Sequence, residues 1–210
     1  MEKLMNEIIK ILDFQNNILI GIDGLGGSGK STLADSLKLK LENKNHNVFV
    51  FHIDDFIYPR KIRYNDSKEE WYCYYNLQWR YDYLIDEVLK PFKQGVIINK
   101  QIELYDKEND IYRFEQITIP QGSIILLEGI FLQRKEMRQY LDYVIYLEVP
   151  NDIRMERVLN RDIYIGNTED IKSKYENRYF PAQDKYMEEY SPKESSDYIL
   201  IYIDKDKIHD

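Results

Sequence analysis

Leu4, Met5, Ile8, Ile9 and Leu12 recur at helical spacing, so the chain is expected to open with an amphipathic helix. Ile18 to Ile22 is a short unbroken apolar run, read as a buried strand. A glycine-rich loop follows, and Leu33, Leu37 and Leu41 then mark one face of a helix. Val48 to Ile53 predicts a second strand, ending in Asp54-Asp55. A polar, proline-containing loop runs to about Glu70, and an aromatic helix is expected from there to about Lys90, its end punctuated by Pro91 and Gly95. Loose alternation with turn signals over residues 96–119 predicts a small antiparallel excursion. Further strands are expected at Ile124–Leu127, Val144–Val149 and Ile199–Ile203, with helices at Asp152–Asp162 and Glu169–Phe180. Gly166-Asn167 marks the loop between those helices. Strands that are apolar throughout and alternate with helices predict an α/β fold, a doubly wound parallel sheet of about five strands in one domain over residues 1–210.

Composition narrows the field of functions. The chain has 210 residues, enough to bury a substantial core, with 43% hydrophobic and 31% charged residues. A formal net charge of -8 argues against a broad nucleic-acid surface, which needs a surplus of Lys and Arg on one face. It leaves room for a local basic pocket that holds phosphates. One cysteine, Cys73, excludes an intramolecular disulfide. The first ten residues mix charge with apolar groups, unlike a signal peptide, and no apolar run reaches the length of a membrane span. A cytoplasmic enzyme acting on a small molecule, without nucleic acid or membrane, is the expectation; homo-oligomerisation is left open. The 19 tyrosines include a cluster between Trp71 and Tyr83, read first as a packed helix with phenol groups reaching water.

The most specific motif is Gly24-Leu25-Gly26-Gly27-Ser28-Gly29-Lys30-Ser31, followed by Thr32. It matches the Walker A pattern between a strand and a helix, the context that pattern requires. Its glycines let successive backbone amides turn toward an anion, and the helix beginning near Lys30 adds its positive end. Lys30 is expected on the β- and γ-phosphates of ATP, and the Ser31 hydroxyl on Mg²⁺.

In an open parallel sheet, ligands sit beyond the carboxyl ends of the strands. Asp54, Asp55 and Glu128 fall there. Either aspartate could accept a proton from an attacking hydroxyl, and Asp55 could instead cap the next turn. Glu128 ends a Walker B-like strand and is expected near the metal. Asp23, directly before the glycine loop, is read as structural. Arg154, Arg157 and Arg161 share one face of the 152–162 helix, suited to clamping phosphate oxygens or, alternatively, to a solvated face paired with Glu156 and Asp162. Asn76 and Gln78 are amides able to bind sugar hydroxyls. Trp71, Tyr75, Trp79 and Arg80 could line a pocket that stacks an acceptor; alternatively Trp71 and Trp79, placed on one helix face, pack the core.

With these residues in place, the chain resembles the uridine kinase and phosphoribulokinase family of P-loop kinases over roughly residues 15–203. Gly24 to Thr32, His52-Ile53-Asp54-Asp55-Phe56, Leu127-Glu128-Gly129-Ile130, Arg154 through Asp162, Tyr105-Asp106, and Tyr175 with Pro181 carry the resemblance. It implies transfer of a γ-phosphate to a small-molecule hydroxyl, with a nucleoside such as uridine as first acceptor and pantothenate-like or sugar-phosphate molecules as others. It implies Asp54 as base, Arg161 as a lid arginine with Arg157 beside it, a mobile lid near 161–172, and Tyr105 and Arg113 at the acceptor. Two departures fall on the acceptor side and one on the lid. Asn76 to Asp82 replaces a His-Pro-Asp-Ala-Phe-like stretch, Lys107-Glu108-Asn109 stands where a histidine follows the Tyr-Asp pair, and Ile163 to Asn167 lacks the usual arginines. An ATP-binding regulatory or switch protein of degenerate kinase type is the alternative; the absence of an Asn-Lys-x-Asp stretch lowers its GTPase version.

Overall fold

The first apolar stripe forms helix α1 (Glu2–Leu12), which buries Leu4, Met5 and Ile8. The computed structural model describes residues 2–12 and 16–202. Strand β1 (Ile18–Asp23), helix α2 (Lys30–Glu42) and strand β2 (Asn47–His52) follow. A tight turn over Ile53–Asp55 leads to four short helices: α3 (Arg60–Arg63), α4 (Glu70–Tyr72), α5 (Tyr81–Leu84) and α6 (Lys90–Lys93). Strands β3 (Ile98–Asp106) and β4 (Ile111–Ile119) form the antiparallel hairpin expected at 96–119. The rest of the chain runs through β5 (Ser123–Glu128), α7 (Lys135–Arg138), β6 (Tyr143–Glu148), α8 (Asn151–Arg161), α9 (Thr168–Lys174), α10 (Phe180–Tyr190) and β7 (Tyr198–Ile201). Ile203, at the end of the predicted fifth strand, lies outside the described residues.

Five strands make one parallel sheet in the order β2-β5-β1-β6-β7. The central strands β1 and β5 are buried at all six positions, as continuous apolar strands covered on both faces must be. Side-chain alternation assigns the two cores. Ile18, Ile20, Ile22, Ile124 and Leu126 pack with α1 and α2, while Leu19, Ile125 and Leu127 face the aromatic helices and α10. Because the strands run parallel, the loops after β1, β2 and β5 emerge at one edge.

The expected helix over 70–90 is not continuous. Gln78 to Arg80 leaves the helical path because it pairs with an earlier segment: Tyr58 donates to the Gln78 carbonyl at 2.8 Å and Arg80 to the Phe56 carbonyl at 2.8 Å. Trp71 and Trp79 therefore do not share a helix face. Wide π turns over Cys73–Leu77 and Ile85–Leu89 replace regular helix on either side. Pro91 does not end the helix; it occupies the first turn of α6, where its missing N–H is tolerated. Pro181 likewise opens α10, so the helix expected to stop at Phe180 is renewed to Tyr190.

Candidate active site

The glycine loop between β1 and α2 closes on itself around Lys30. The ammonium donates to the Gly24 carbonyl at 2.8 Å and the Leu25 carbonyl at 3.1 Å. Burial lowers the Lys30 pKa, and the nearby carboxylates Glu128, Asp23 and Asp54 work against that shift. Two glycines are required outright. Gly29, the residue before α2, holds a left-handed backbone at φ 92°. Gly27 combines φ 81° with a site where a Cβ would lie 2.7 Å from the Arg154 carbonyl. Asp23 sits beneath the loop, fully buried, and accepts hydrogen bonds from Tyr186, Gln133 and the Gly24 amide. Burial raises its pKa despite those bonds. It braces the loop from below, outside the cleft.

Sheet register brings the remaining acidic groups to the loop. Glu128 is paired in register with Ile22 on one side and His52 on the other. Its carboxylate accepts from the Ser31 hydroxyl at 3.0 Å and lies 2.6 Å from Nδ1 of His52. Burial alone would raise the Glu128 pKa; the His52 bond, the Lys30 charge and the Ser31 bond outweigh it, and the net shift is downward. The same bond raises His52, against a smaller effect of burial. Gly129 lets the end of β5 approach the turn before Asp54, since a Cβ there would stand 2.1 Å from Cγ2 of Ile53.

A cleft of about 700 Å³ opens over these groups. Gly26, Gly27, Gly29, Lys30, Ser31 and Thr32 line it, and Asp54 and Glu128 project into the same space. Gly24 and Ser28 support the loop from behind, with Ser28 buried. Asp55 does not line the cleft; burial raises its pKa. Among the described residues, no cluster of three or more His, Cys, Asp or Glu could hold a metal ion. The hydroxyl and carboxylate that meet at Ser31 and Glu128 suit Mg²⁺ all the same. That ion is commonly held by one or two carboxylates together with substrate phosphates and water.

The arginine face of α8 divides by role. Arg154 is buried and tied to the Gly26 carbonyl, the Val149 carbonyl, Gln183 and Asn151. Arg157 lines the cleft and donates to the carbonyls of Gly27 and Ser28 at 3.2 Å. Arg161 also lines it, paired with Asp162 at 2.7 Å. The Tyr175 hydroxyl donates to the same Asp162 at 2.7 Å. Beyond Arg161, the stretch expected as a lid exposes Ile163 and Tyr164 and then enters α9, whose first turn is closed by a capping box from Asn167 to Asp170.

The acceptor side differs most from the sequence reading. Tyr105 lines the cleft, its hydroxyl donating to Asp110 at 2.6 Å and accepting from Arg63 at 2.8 Å. Asn76 and Arg113 lie outside the lining: Asn76 is exposed and bonds the Tyr72 carbonyl, and Arg113 is exposed and pairs with Glu115. Trp71, Tyr75, Trp79 and Arg80 are also absent from it; Trp79 is buried in the core and the half-buried Trp71 packs against it, the second reading offered for the two tryptophans, and Tyr75 is core as well. In their place stand Arg60, Arg63, Tyr64, Tyr74, Lys107, Arg178 and Tyr179, with Gln78 the amide that does reach the cleft. Tyr64 and Arg63 come from the polar loop after Asp54, and Arg178 from the wide turn before α10. The only sequence signal was that each flanks a stretch already singled out.

Residues 19–207 match the Phosphoribulokinase / Uridine kinase family. A uridine kinase of Staphylococcus haemolyticus is 30% identical over 183 residues, covering 82% of this chain and 83% of its own. A uridine kinase of Clostridium novyi is 34% identical over 149 residues, 70% and 68% of the two chains. A solved structure described as a possible uridine kinase from Bacillus stearothermophilus superposes with a TM-score of 0.74 at 32% identity, covering 94% of this chain and 99% of that one.

Proposed function

The chain belongs to the phosphoribulokinase / uridine kinase family, and on that premise we propose that it transfers the γ-phosphate of ATP to a hydroxyl group of a small molecule. The observation that carries this reading is one cleft shared by Lys30, Ser31, Glu128 and Asp54. The acceptor oxygen bonds the γ-phosphorus as the bond to the β–γ bridging oxygen breaks. ADP leaves with that electron pair, and the hydroxyl proton passes to the Asp54 carboxylate. Lys30 and the loop amides hold the phosphates, while Arg157 and Arg161 face the charge that develops during transfer. Ser31 and Glu128 are the groups that would hold Mg²⁺, which when bound supplies neutralisation of phosphate charge. The relatives' names make nucleosides, uridine first, the initial acceptors to assay.

The switch alternative is less favoured, because this cleft brings together a candidate base and two arginines in addition to the phosphate cradle. Asp54→Asn tests the assignment. Acceptor-dependent ADP formation is expected to fall by roughly 10²- to 10⁴-fold, the usual worth of general base catalysis, with ATP affinity nearly unchanged. Near-normal transfer by that variant would remove Asp54 from the role.

A further inference from the structure

Among the described residues, seven cations line the cleft against three carboxylates, Asp54, Glu128 and Asp162, in a protein whose net charge is -8. Three of the cations belong to the phosphate end, two by their contacts and the third by its place on α8. Lys30 and Arg157 bond the glycine loop, and Arg161 is next to them in the 154–161 row. The other four are Arg60, Arg63, Lys107 and Arg178, and none of them forms an ion pair with a described carboxylate.

Arg178 is the most telling. It is 1% exposed, yet its hydrogen-bond partners are neutral: the Glu70 carbonyl at 3.1 Å and Gln78 Oε1 at 2.8 Å. Tyr64 and Tyr74 lie under its guanidinium, at 4.4 and 5.2 Å. A guanidinium offers five N–H donors, and these two bonds use two. A buried charge normally has an opposite charge beside it, because desolvation is otherwise uncompensated. The Arg63 guanidinium also lies over Tyr64, 5.4 Å from that ring, and its Nε is buried with no partner among the described residues. Asp110 lies within electrostatic reach of Arg60 and Arg63 but is committed to the Tyr105 hydroxyl and the Arg60 amide, and it does not line the cleft.

We propose that the acceptor is an alcohol bearing an anionic group, a carboxylate or a phosphate, which Arg178 and Arg63, both packed against Tyr64, bind while its hydroxyl faces Asp54. This rests on the phosphotransferase reading above and specifies its substrate class. The anion supplies the countercharge that Arg178 lacks, and a planar guanidinium recognises either group through paired N–H donors. The product then carries two anionic groups, the original one and the phosphoryl group transferred.

The experiment compares ATP- and Mg²⁺-dependent phosphorylation of three acceptor sets: neutral nucleosides and polyols, hydroxy acids, and sugar phosphates. ADP release and a mass gain of one phosphoryl group are both read. One anionic set is expected to give the highest kcat/KM, and which one identifies the group. Arg178→Met and Arg63→Gln are each expected to lower kcat/KM for that acceptor by roughly 10- to 100-fold, the worth of a charge-assisted hydrogen bond. For Arg63→Gln the loss is expected mainly in KM. If Arg178→Met fails to fold by circular dichroism, the wild-type ranking and the half-buried Arg63 position decide. A neutral nucleoside or polyol turned over better than every anion would overturn the inference and leave the kinase reading standing. No phosphorylated product from any set would overturn both.

Discussion

At the scale of single residues, two contacts decide how the site is assembled. The His52–Glu128 bond couples a histidine whose folded pKa is raised above 6.5 to a carboxylate whose folded pKa is lowered below 4.5. The histidine's contribution to stability is full below pH 6.5 and is lost as pH rises through its raised folded value. The carboxylate's contribution is full above pH 4.5 and is lost as pH falls through its lowered folded value. The pair is therefore complete between those two limits. Melting curves of the wild type and His52→Ala should differ most there, with the gap closing as pH rises beyond the histidine's value. A gap that widens toward alkaline pH would contradict the pairing. Gly129 is the second contact. Its missing side chain lets β5 end against Ile53, one residue before Asp54. Gly129→Ala should cost about 1–3 kcal/mol by overpacking in urea denaturation. Turnover should fall further, by roughly 100-fold, since a displacement near 1 Å at the reacting group has that effect. Wild-type turnover in a destabilised variant would mean that the Ile53 side chain yields without moving Asp54.

At the scale of elements, the break at Gln78–Arg80 is the feature that shapes the acceptor side. By leaving the helix to pair with residues 56–58, this segment turns Trp79 into the core and Gln78 toward the cleft. Trp79 packs with Tyr74, Tyr81 and Phe131, with ring centroids 5.5 to 6.2 Å away. Trp79→Ala should destabilise the protein by about 3–5 kcal/mol, read from denaturant midpoints. Because the same pairing sets Gln78, acceptor KM should worsen more than ATP binding. Equal effects on both would show that the break does not steer the acceptor side. This break was illegible in the sequence because its cause is a pairing partner some twenty residues away, whereas the periodicity of residues 71–90 is locally helical. The glycine loop, the five strands and the hairpin were legible for the opposite reason: each is written in adjacent residues. Arg178 and Arg63 were missed because nothing near Arg178 in sequence reveals that Tyr64, beside Arg63, and Gln78 come to meet it.

At the scale of the whole molecule, the two halves of the cleft rest on strands of different standing. The phosphate loop springs from β1, which has a neighbour on each side and no exposed position. Asp54 follows β2, which pairs only with β5 and is partly open to solvent along its length. That asymmetry has a counterpart in the family comparison: the departures at 76–82, 107–109 and 163–167 all lie away from the central strands, although the His52–Phe56 match sits at the end of the edge strand. It also makes the chain a natural chassis for retargeting. On the proposed reading, donor chemistry is anchored beside the fully buried central strand, while the choice of recipient is written on the flank beside the edge strand and in the segments that follow it. New recipients can therefore be sought by altering that flank alone, with the energy-supplying half carried over untouched.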